Sequence, residues 1–141
     1  MKMATVLATK GPGVFTTTAA APLTDAVRRL AANNIGALIV LDSHGLPEGI
    51  LSERDVVRAL AAGNAFAGTV GDLMTSPITV GGPNDDVESV LRTMTARHFR
   101  HLPIVEDGRL AGMVTIADLV HAQLNEALGA VHTLETQLMG S

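Results

Sequence analysis

The sequence predicts an α+β fold in which a β-α-β-β-α unit is present twice. Residues 49–55 and 112–118 both read glycine, two apolar residues, a hydroxyl residue, two variable residues and aspartate, and each shared position follows its counterpart by 63 residues. Strand-like and helix-like apolar spacings also follow one another in the same order in both halves of the chain. A repeat that stays in register indicates one structural unit written twice.

The first unit, with an N-terminal segment, is assigned to residues 1–62. Its first central helix is predicted from apolar residues at i, i+3, i+4, i+7 and i+8, which are Leu23, Ala26, Val27, Leu30 and Ala31. Thr24 or Asp25 is the expected N-cap of that helix. The remaining predicted elements are a helix over residues 3–9, a turn at 11–13, strands at 14–18, at 37–41 and ending at 51, and a helix from 52 to about 62.

The second unit is assigned to residues 77–128, after a linker at 63–76 and before a tail at 129–141. The predicted elements are a strand at 78–80, a helix that starts at 83–86 with Val87, Val90, Leu91 and Met94 on its apolar face, a hairpin of strands 102–105 and 110–114, and a helix from 115 to 129 or beyond. The repeats are offset by 64 residues before the hairpin and by 63 after it. We therefore expect one extra residue in the turn of the first hairpin.

Composition excludes several classes of protein. The chain has 141 residues, no cysteine and a formal net charge of −4. The absence of cysteine excludes disulfides and thiol catalysis, and the acidic balance argues against a nonspecific nucleic-acid binder. The apolar run at 35–41 is far shorter than the ~20 residues that span a membrane, and no signal peptide is recognised. We expect a cytoplasmic protein that binds small molecules or proteins, and neither nucleic acid nor membrane.

The apolar content also predicts self-association. Forty-seven per cent of the residues are hydrophobic, but only three are aromatic. Such a chain forms an aliphatic core and leaves apolar surface for a second subunit. A homodimer is therefore expected.

The two glycine-to-aspartate motifs allow two interpretations. Ser52 and Thr115 stand where a helix N-cap belongs, and Asp55 and Asp118 follow three residues later, as in a capping box. Alternatively, the hydroxyl and carboxylate face a ligand, with the carboxylate accepting hydrogen bonds from a sugar diol while free helix N–H groups favour a phosphate. Duplication in register favours the ligand interpretation, and both stay open.

Residues 14–127 resemble a tandem pair of CBS (cystathionine β-synthase) domains, an arrangement known as a Bateman module. The resemblance is carried by the motifs at 49–55 and 112–118, by Asp72-Leu73-Met74 with Pro77, and by the run Arg-His-Leu-Pro-Ile-Val at 100–105. Four motifs in this order on a duplicated frame are specific. The resemblance implies a pseudo-symmetric pair of packed repeats, clefts between them that bind adenosine-containing ligands, and dimers made through helices.

The resemblance also implies how the two clefts are built. Each takes a hydroxyl and an aspartate from one repeat and the first strand and helix-to-strand corner from the other. Cleft one is expected to contain Ile50, Ser52, Arg54, Asp55, Ile78, Thr79, Arg100, His101 and Pro103. Cleft two is expected to contain Met113, Thr115, Asp118, Val14, Thr16, Ile35, Gly36 and Ala37.

The two clefts differ in charge. Cleft one has the cationic or proton-donating residues Arg54, Arg100 and His101, whereas the matching positions of cleft two, Ala117, Gly36 and Ala37, are small and uncharged. A carboxylate without a nearby cation disfavours a polyphosphate. We therefore expect cleft one to bind a phosphorylated adenine nucleotide and cleft two to bind weakly or to prefer a nucleoside.

The expected function is regulatory. AMP, ADP or ATP is the expected regulatory ligand, with no obligatory cofactor, no metal and no catalytic residue, and an unidentified protein reads the bound state. NAD, S-adenosylmethionine and cyclic dinucleotides also carry a base with a diol or phosphate. The sequence contains no Ser-His-Asp order, P-loop or His-Glu-x-x-His motif, so an enzyme is not expected. The alternative is a constitutive dimerisation or interaction scaffold that binds no ligand.

Overall fold

The computed structural model describes residues 1–11, 13–63 and 67–139. Parts of the predicted turn at 11–13, linker and tail (residues 12, 64–66 and 140–141) lie outside this description. The elements in chain order are α1 (Met3–Lys10), β1 (Thr16–Thr18), α2 (Leu23–Ala32), β2 (Ala37–Leu41), β3 (Pro47–Ser52), α3 (Glu53–Ala61), α4 (Val70–Leu73), α5 (Val87–Arg97), β4 (His101–Glu106), β5 (Arg109–Thr115) and α6 (Ile116–Met139).

The first repeat forms a three-stranded sheet in the order β1-β2-β3. Strand β1 is parallel to β2, and β2 is antiparallel to β3. Leu38, Val40 and Leu51 of this sheet pack with Leu23 and Leu30 of α2 in one hydrophobic core. The predicted β-α-β-β-α order of this repeat is confirmed.

Helix α2 begins differently from the prediction. Pro22 occupies its N-cap position, and no side chain caps the helix. The expectation that Thr24 or Asp25 caps it is wrong, because Leu23 is already the first helical residue and the other two lie within the first turn. Proline suits this end of a helix, where the missing N–H would have had no helical partner.

The second repeat has only two strands, because the strand predicted at 78–80 does not form. In its place Gly81 alone makes a parallel bridge to Ile104, through Gly81 N–H to Pro103 O and Val105 N–H to Gly81 O. In the first repeat, Ile39 N–H donates to Phe15 O. The offset of 64 makes Pro103 the counterpart of Ile39, and proline has no N–H to donate. Pro103 therefore removes the bond that would extend the ladder to Thr79.

The two hairpins differ in length as the repeat offset predicted. Residues 42–46 separate Leu41 from its partner Pro47, whereas residues 106–109 separate Val105 from Leu110. The first connection is thus one residue longer. Asp107 and Gly108 both have positive φ, at 51° and 73°, and form the tight turn of the hairpin predicted from strands 102–105 and 110–114.

Helix α1, which precedes the first repeat, packs on the second repeat, and helix α4, which precedes the second repeat, packs on the first. Met3 and Val6 of α1 lie in the core of the second repeat with Met94, Ile104 and Val114. Conversely, Val70 of α4 lies in the core of the first repeat. Helix α4 lies inside the predicted linker. Each repeat is therefore completed by a helix from the segment that precedes the other repeat.

Helix α6 extends well past its packed part. Leu119 is fully buried, but every residue from 124 to 139 is exposed. An exposed apolar stripe follows the helix at three- and four-residue spacing, through Val120, Leu124, Leu128, Val131 and Leu134. The predicted continuation beyond residue 129 is confirmed, and its apolar surface is open within the described part of the chain.

Candidate functional site

The motif of the first repeat forms a helix cap. Ser52 is the N-cap of α3, and its hydroxyl accepts a hydrogen bond from Asp55 N–H while Asp55 Oδ2 accepts one from Ser52 N–H at 2.9 Å. Thr75, which follows α4, donates its hydroxyl to Asp55 Oδ1 at 3.1 Å. The capping interpretation is thus confirmed, and Asp55 also contacts the segment that leads into the second repeat.

The motif of the second repeat forms the same cap with a different outside partner. Asp118 Oδ2 accepts from Thr115 N–H at 2.9 Å, and Thr115 Oγ1 accepts from Asp118 N–H at 3.0 Å. Lys10, the last residue of α1, places its Nζ 2.7 Å from Asp118 Oδ2. The premise that cleft two has no cation near its carboxylate is therefore wrong. Lys10 precedes the first predicted strand, at 14–18, and therefore has no place in the two sets of cleft residues expected from the sequence.

The ion pair affects the charge state of Asp118. Burial acts to raise the pKa of Asp118, but the hydrogen bonds from Lys10 and Thr115 and the positive charge of Lys10 outweigh it, so the pKa lies below its ordinary value. The carboxylate is therefore charged at neutral pH. A charged carboxylate is a pure hydrogen-bond acceptor, as a sugar diol requires.

His101 lies where the two predicted clefts meet. A Cβ on Gly36, a cleft-two residue, would be 3.8 Å from His101 Nε2. Burial lowers the pKa of His101, and the positive charges of Lys10 and Arg100 lower it further against the opposing charges of Asp118 and Asp55. The imidazole is therefore neutral at pH 7, and it is close to the charged groups of both motifs.

Strand pairing places several other predicted site residues. His101 pairs with Thr115 and Pro103 with Met113 across β4 and β5. In the first repeat, Ala37 pairs with Ser52. The corner residues of each repeat therefore lie beside the hydroxyl motif of the same repeat. Contacts between the two halves near the motifs include those of Lys10 and Thr75, and His101 lies near Gly36.

The remaining predicted residues are less tightly placed. Arg54 and Arg100 are exposed, and among the described residues neither forms an ion pair. Ile78, Thr79, Val14 and Ile35 are partly buried. The carbonyl of Thr16 accepts a hydrogen bond from Arg29 of α2, a cation that the sequence analysis did not place here.

The glycines that open the two motifs provide room for the exchanged segments. A Cβ on Gly49 would lie 2.7 Å from Met74 Sδ, and one on Gly112 would lie 2.8 Å from Leu7 Cδ2. Neither glycine has a positive φ. Their common role is close approach, which brings the segments carrying Thr75 and Lys10 against the two aspartates.

A cavity of about 300 Å³ lies beside α5. Its lining includes Thr79, Asp85, Ser89, Phe99 and Leu102, and Thr79 is the only predicted cleft residue among those that line it. The described residues contain no cluster of His, Asp or Glu suited to a metal ion. Within the same part of the chain, no helix combines the length and apolarity needed to cross a bilayer.

Comparison with known proteins identifies the family. A model of the CBS domain matches residues 9–62 and again residues 70–125. The chain belongs to the CBS domain family. A protein of Acidianus ambivalens is 34% identical over 80% of this chain, and a mitochondrial CBS domain-containing protein of Arabidopsis thaliana is 35% identical over 82%. The chain spans 66% and 59% of the lengths of these two relatives.

Solved CBS structures share the fold. A CBS-domain containing protein from Agrobacterium tumefaciens superposes with a TM-score of 0.80 at 34% identity, over 87% of this chain and 99% of the other. A CBS domain protein of Pyrobaculum aerophilum was solved with AMP, and has a TM-score of 0.73 at 24% identity over 84% and 89% of the two chains. The CBS domain pair of the protein MJ0100, solved with 5′-methylthioadenosine and S-adenosyl-L-methionine, has a TM-score of 0.78 at 24% identity, over 89% and 98%. The last two similarities show a common fold.

Proposed function

We propose that this CBS domain protein is a regulatory module that binds an adenosine-containing ligand, with AMP, ADP and ATP as the leading candidates, in clefts between its repeats. The observation that carries the proposal is the duplicated pair of hydroxyl and carboxylate groups at helix N-termini. Asp55 is reached by Thr75 and Asp118 by Lys10, so each carboxylate lies where a segment of the other half of the chain meets it.

The capping interactions leave room for a ligand. A carboxylate has about four lone-pair positions, and the cap uses only one oxygen of each aspartate. A ribose diol can therefore donate to Asp55 or Asp118 without breaking the cap. The AMP complex of one CBS protein and the adenosyl complex of another, which share this fold, support the choice of ligand class.

In this proposal the two sets of residues predicted for clefts one and two remain the candidate binding residues. A ligand held between the repeats changes their relative angle, and a protein partner of unknown identity reads that change. The protein acts in the cytoplasm as a homodimer and carries out no catalysis.

The test is a calorimetric melting series with AMP, ADP, ATP, NAD, S-adenosylmethionine and guanine nucleotides. Calorimetry is chosen because the chain has no tryptophan or tyrosine to report unfolding. A ligand at about 100 times its dissociation constant should stabilise the fold by about 2.7 kcal/mol. Stabilisation by adenine compounds alone, reduced in Asp55→Ala or Asp118→Ala, supports the proposal and identifies the occupied cleft. Absence of any shift refutes it.

A scaffold without ligand binding is the second candidate, and two observations favour it. Both aspartates already have a structural role as caps. The apolar stripe of α6 offers a surface for a second copy or another protein. A protein that shows no ligand-dependent melting but dimerises through α6 would match this candidate.

A further inference from the structure

The contact between Lys10 and Asp118 is separate from the hydrogen bonds that cap helix α6. Lys10 Nζ donates to Asp118 Oδ2 at 2.7 Å and to the carbonyl of Met113 at 2.8 Å. The Lys10 and Asp118 side chains are 33% and 27% exposed, so the pair is accessible from solvent but partly shielded by the protein. An ammonium at such a site can donate a hydrogen bond to a ligand that enters from solvent.

The packing of α1 fixes where this cation lies. Met3 and Val6 are buried in the core of the second repeat, and Leu7 lies against Gly112. The backbone N–H groups of Met3 and Ala4 also donate to the carbonyls of Asp85 and Pro83. Lys10 is therefore held near Asp118 by its helix as well as by the ion pair. The cation stays beside the carboxylate if a ligand engages that carboxylate.

Lys10 and Asp118 each retain hydrogen-bonding groups that the ion pair and the cap do not use. A lysine ammonium has three donors, and two are used here. Among the described residues, both bonds to the Asp118 carboxylate reach Oδ2 and none reaches Oδ1. A free acceptor thus lies next to a free cationic donor, which matches a ribose diol and the phosphate attached to the same ribose.

The equivalent position of the first repeat lacks this arrangement. Asp55 Oδ1 accepts from the neutral hydroxyl of Thr75, and among the described residues no cation forms an ion pair with Asp55. Arg54 and Arg100 are exposed and are held by no ion pair in the same part of the chain. A cationic side chain that an ion pair already holds in position loses less conformational freedom on binding a phosphate than an exposed side chain without such a contact.

We propose that Lys10 is a phosphate-binding residue of cleft two, and that it makes this cleft prefer a phosphorylated adenosine over the nucleoside. This proposal rests on the proposed function and reverses the preference that the sequence suggested for cleft two. The phosphate takes the free donor of the ammonium, while the diol donates to Asp118.

The test is isothermal titration of AMP and of adenosine into the full chain carrying Asp55→Asn, which weakens cleft one. Lys10→Met removes the charge with little change in length, Lys10→Arg retains the charge, and Lys2→Met is the matched control. Lys2 is exposed and precedes the same helix at its opposite end. Melting temperatures of all variants verify folding.

Lys10→Met should weaken AMP binding by roughly tenfold, as expected for the loss of one partly exposed charge-assisted hydrogen bond. Adenosine affinity should be unchanged, Lys10→Arg should retain most AMP affinity, and Lys2→Met should bind both as the parent does. Equal or tighter AMP binding by Lys10→Met overturns the role of Lys10, as does loss of all AMP binding in Asp55→Asn alone. If the unaltered chain binds neither AMP nor adenosine, the proposed function fails and this inference fails with it.

Discussion

The two glycines that open the repeated motifs should differ in their tolerance of a methyl group. A Cβ at Gly49 would lie 2.7 Å from Met74 Sδ and also 3.1 Å from the carbonyl oxygen of Thr75. That carbonyl belongs to the backbone and accepts a hydrogen bond from Ile50 N–H. At Gly112 the nearest atom of the described residues is the terminal Cδ2 of Leu7, at 2.8 Å, and the next nearest atoms are 3.9 Å away. A terminal methyl can rotate away, whereas a bonded carbonyl can move only with its strand partner.

The expected magnitudes follow from these contacts. Overpacking a well-packed site costs about 1–3 kcal/mol, so Gly49→Ala should lower the free energy of unfolding by that amount. For a chain of 141 residues, 1 kcal/mol corresponds to roughly 3 °C in Tm. Gly49→Ala should therefore melt roughly 3–9 °C below the parent, and Gly112→Ala should lose less than about 1 kcal/mol.

Gly129 provides the control. It lies inside α6, has no positive φ, and has nothing within 4 Å of an added Cβ. Gly129→Ala should stabilise the protein by up to about 1 kcal/mol through helix propensity alone. Differential scanning calorimetry of the three variants is the assay. Equal losses at Gly49 and Gly112, or no loss at Gly49, would show that the segment carrying Thr75 is not held as tightly as its contacts imply.

Three further outcomes are expected. Because burial, Lys10 and Arg100 lower the pKa of His101 in the folded chain, the unfolded chain binds more protons near pH 6.5, so stability should fall as the pH drops from about 7 through that value. His101→Gln should lessen this fall in melts between pH 8 and 5, and an identical pH profile would contradict the assignment. Pro103→Val supplies a backbone N–H that can donate to the carbonyl of Thr79, as Ile39 N–H donates to Phe15 O. In hydrogen exchange measured by NMR, the amide of residue 103 should then exchange as slowly as that of Ile39. Fast exchange would mean that this hydrogen bond does not form. Leu128→Glu should convert a dimer to a monomer in light scattering if the α6 stripe is the interface, whereas the polar-site control Asn125→Glu should remain a dimer.

Most of the fold could be predicted from the sequence, because apolar periodicity directly reports which faces are buried. The 3.6-residue spacing located α2 and α5, and the offset between repeats located the longer hairpin turn. Periodicity failed at residues 78–80, where apolar and β-branched residues suggested a strand. The deciding residue there is the proline at 103, which lies on the neighbouring strand. The apolar pattern of one segment does not show whether the neighbouring strand has the N–H groups needed to pair with it.

The chemical role of the repeated motifs was only partly predictable. A hydroxyl followed three residues later by a carboxylate fits both a cap and a ligand site, and the structure forms both caps. The sequence alone gives no means to decide whether the same carboxylates have a second partner. Thr75 and Lys10 supply that information, since each comes from outside the motif it touches.

Lys10 could not be found by comparing one repeat with the other, because that comparison tests only positions that both repeats contain. Helix α1 precedes the first repeat, yet Met3 and Val6 complete the core of the second. With the offset of 64 that holds before the hairpins, the counterpart of Lys10 is Met74, which is uncharged, so the alignment of the two halves gives no sign of a cation. The sequence shows only a lysine between the helix predicted at 3–9 and Gly11, and this does not indicate what the lysine contacts. Exchange of helices between the repeats thus turns two sites with similar motifs into two sites with different charge.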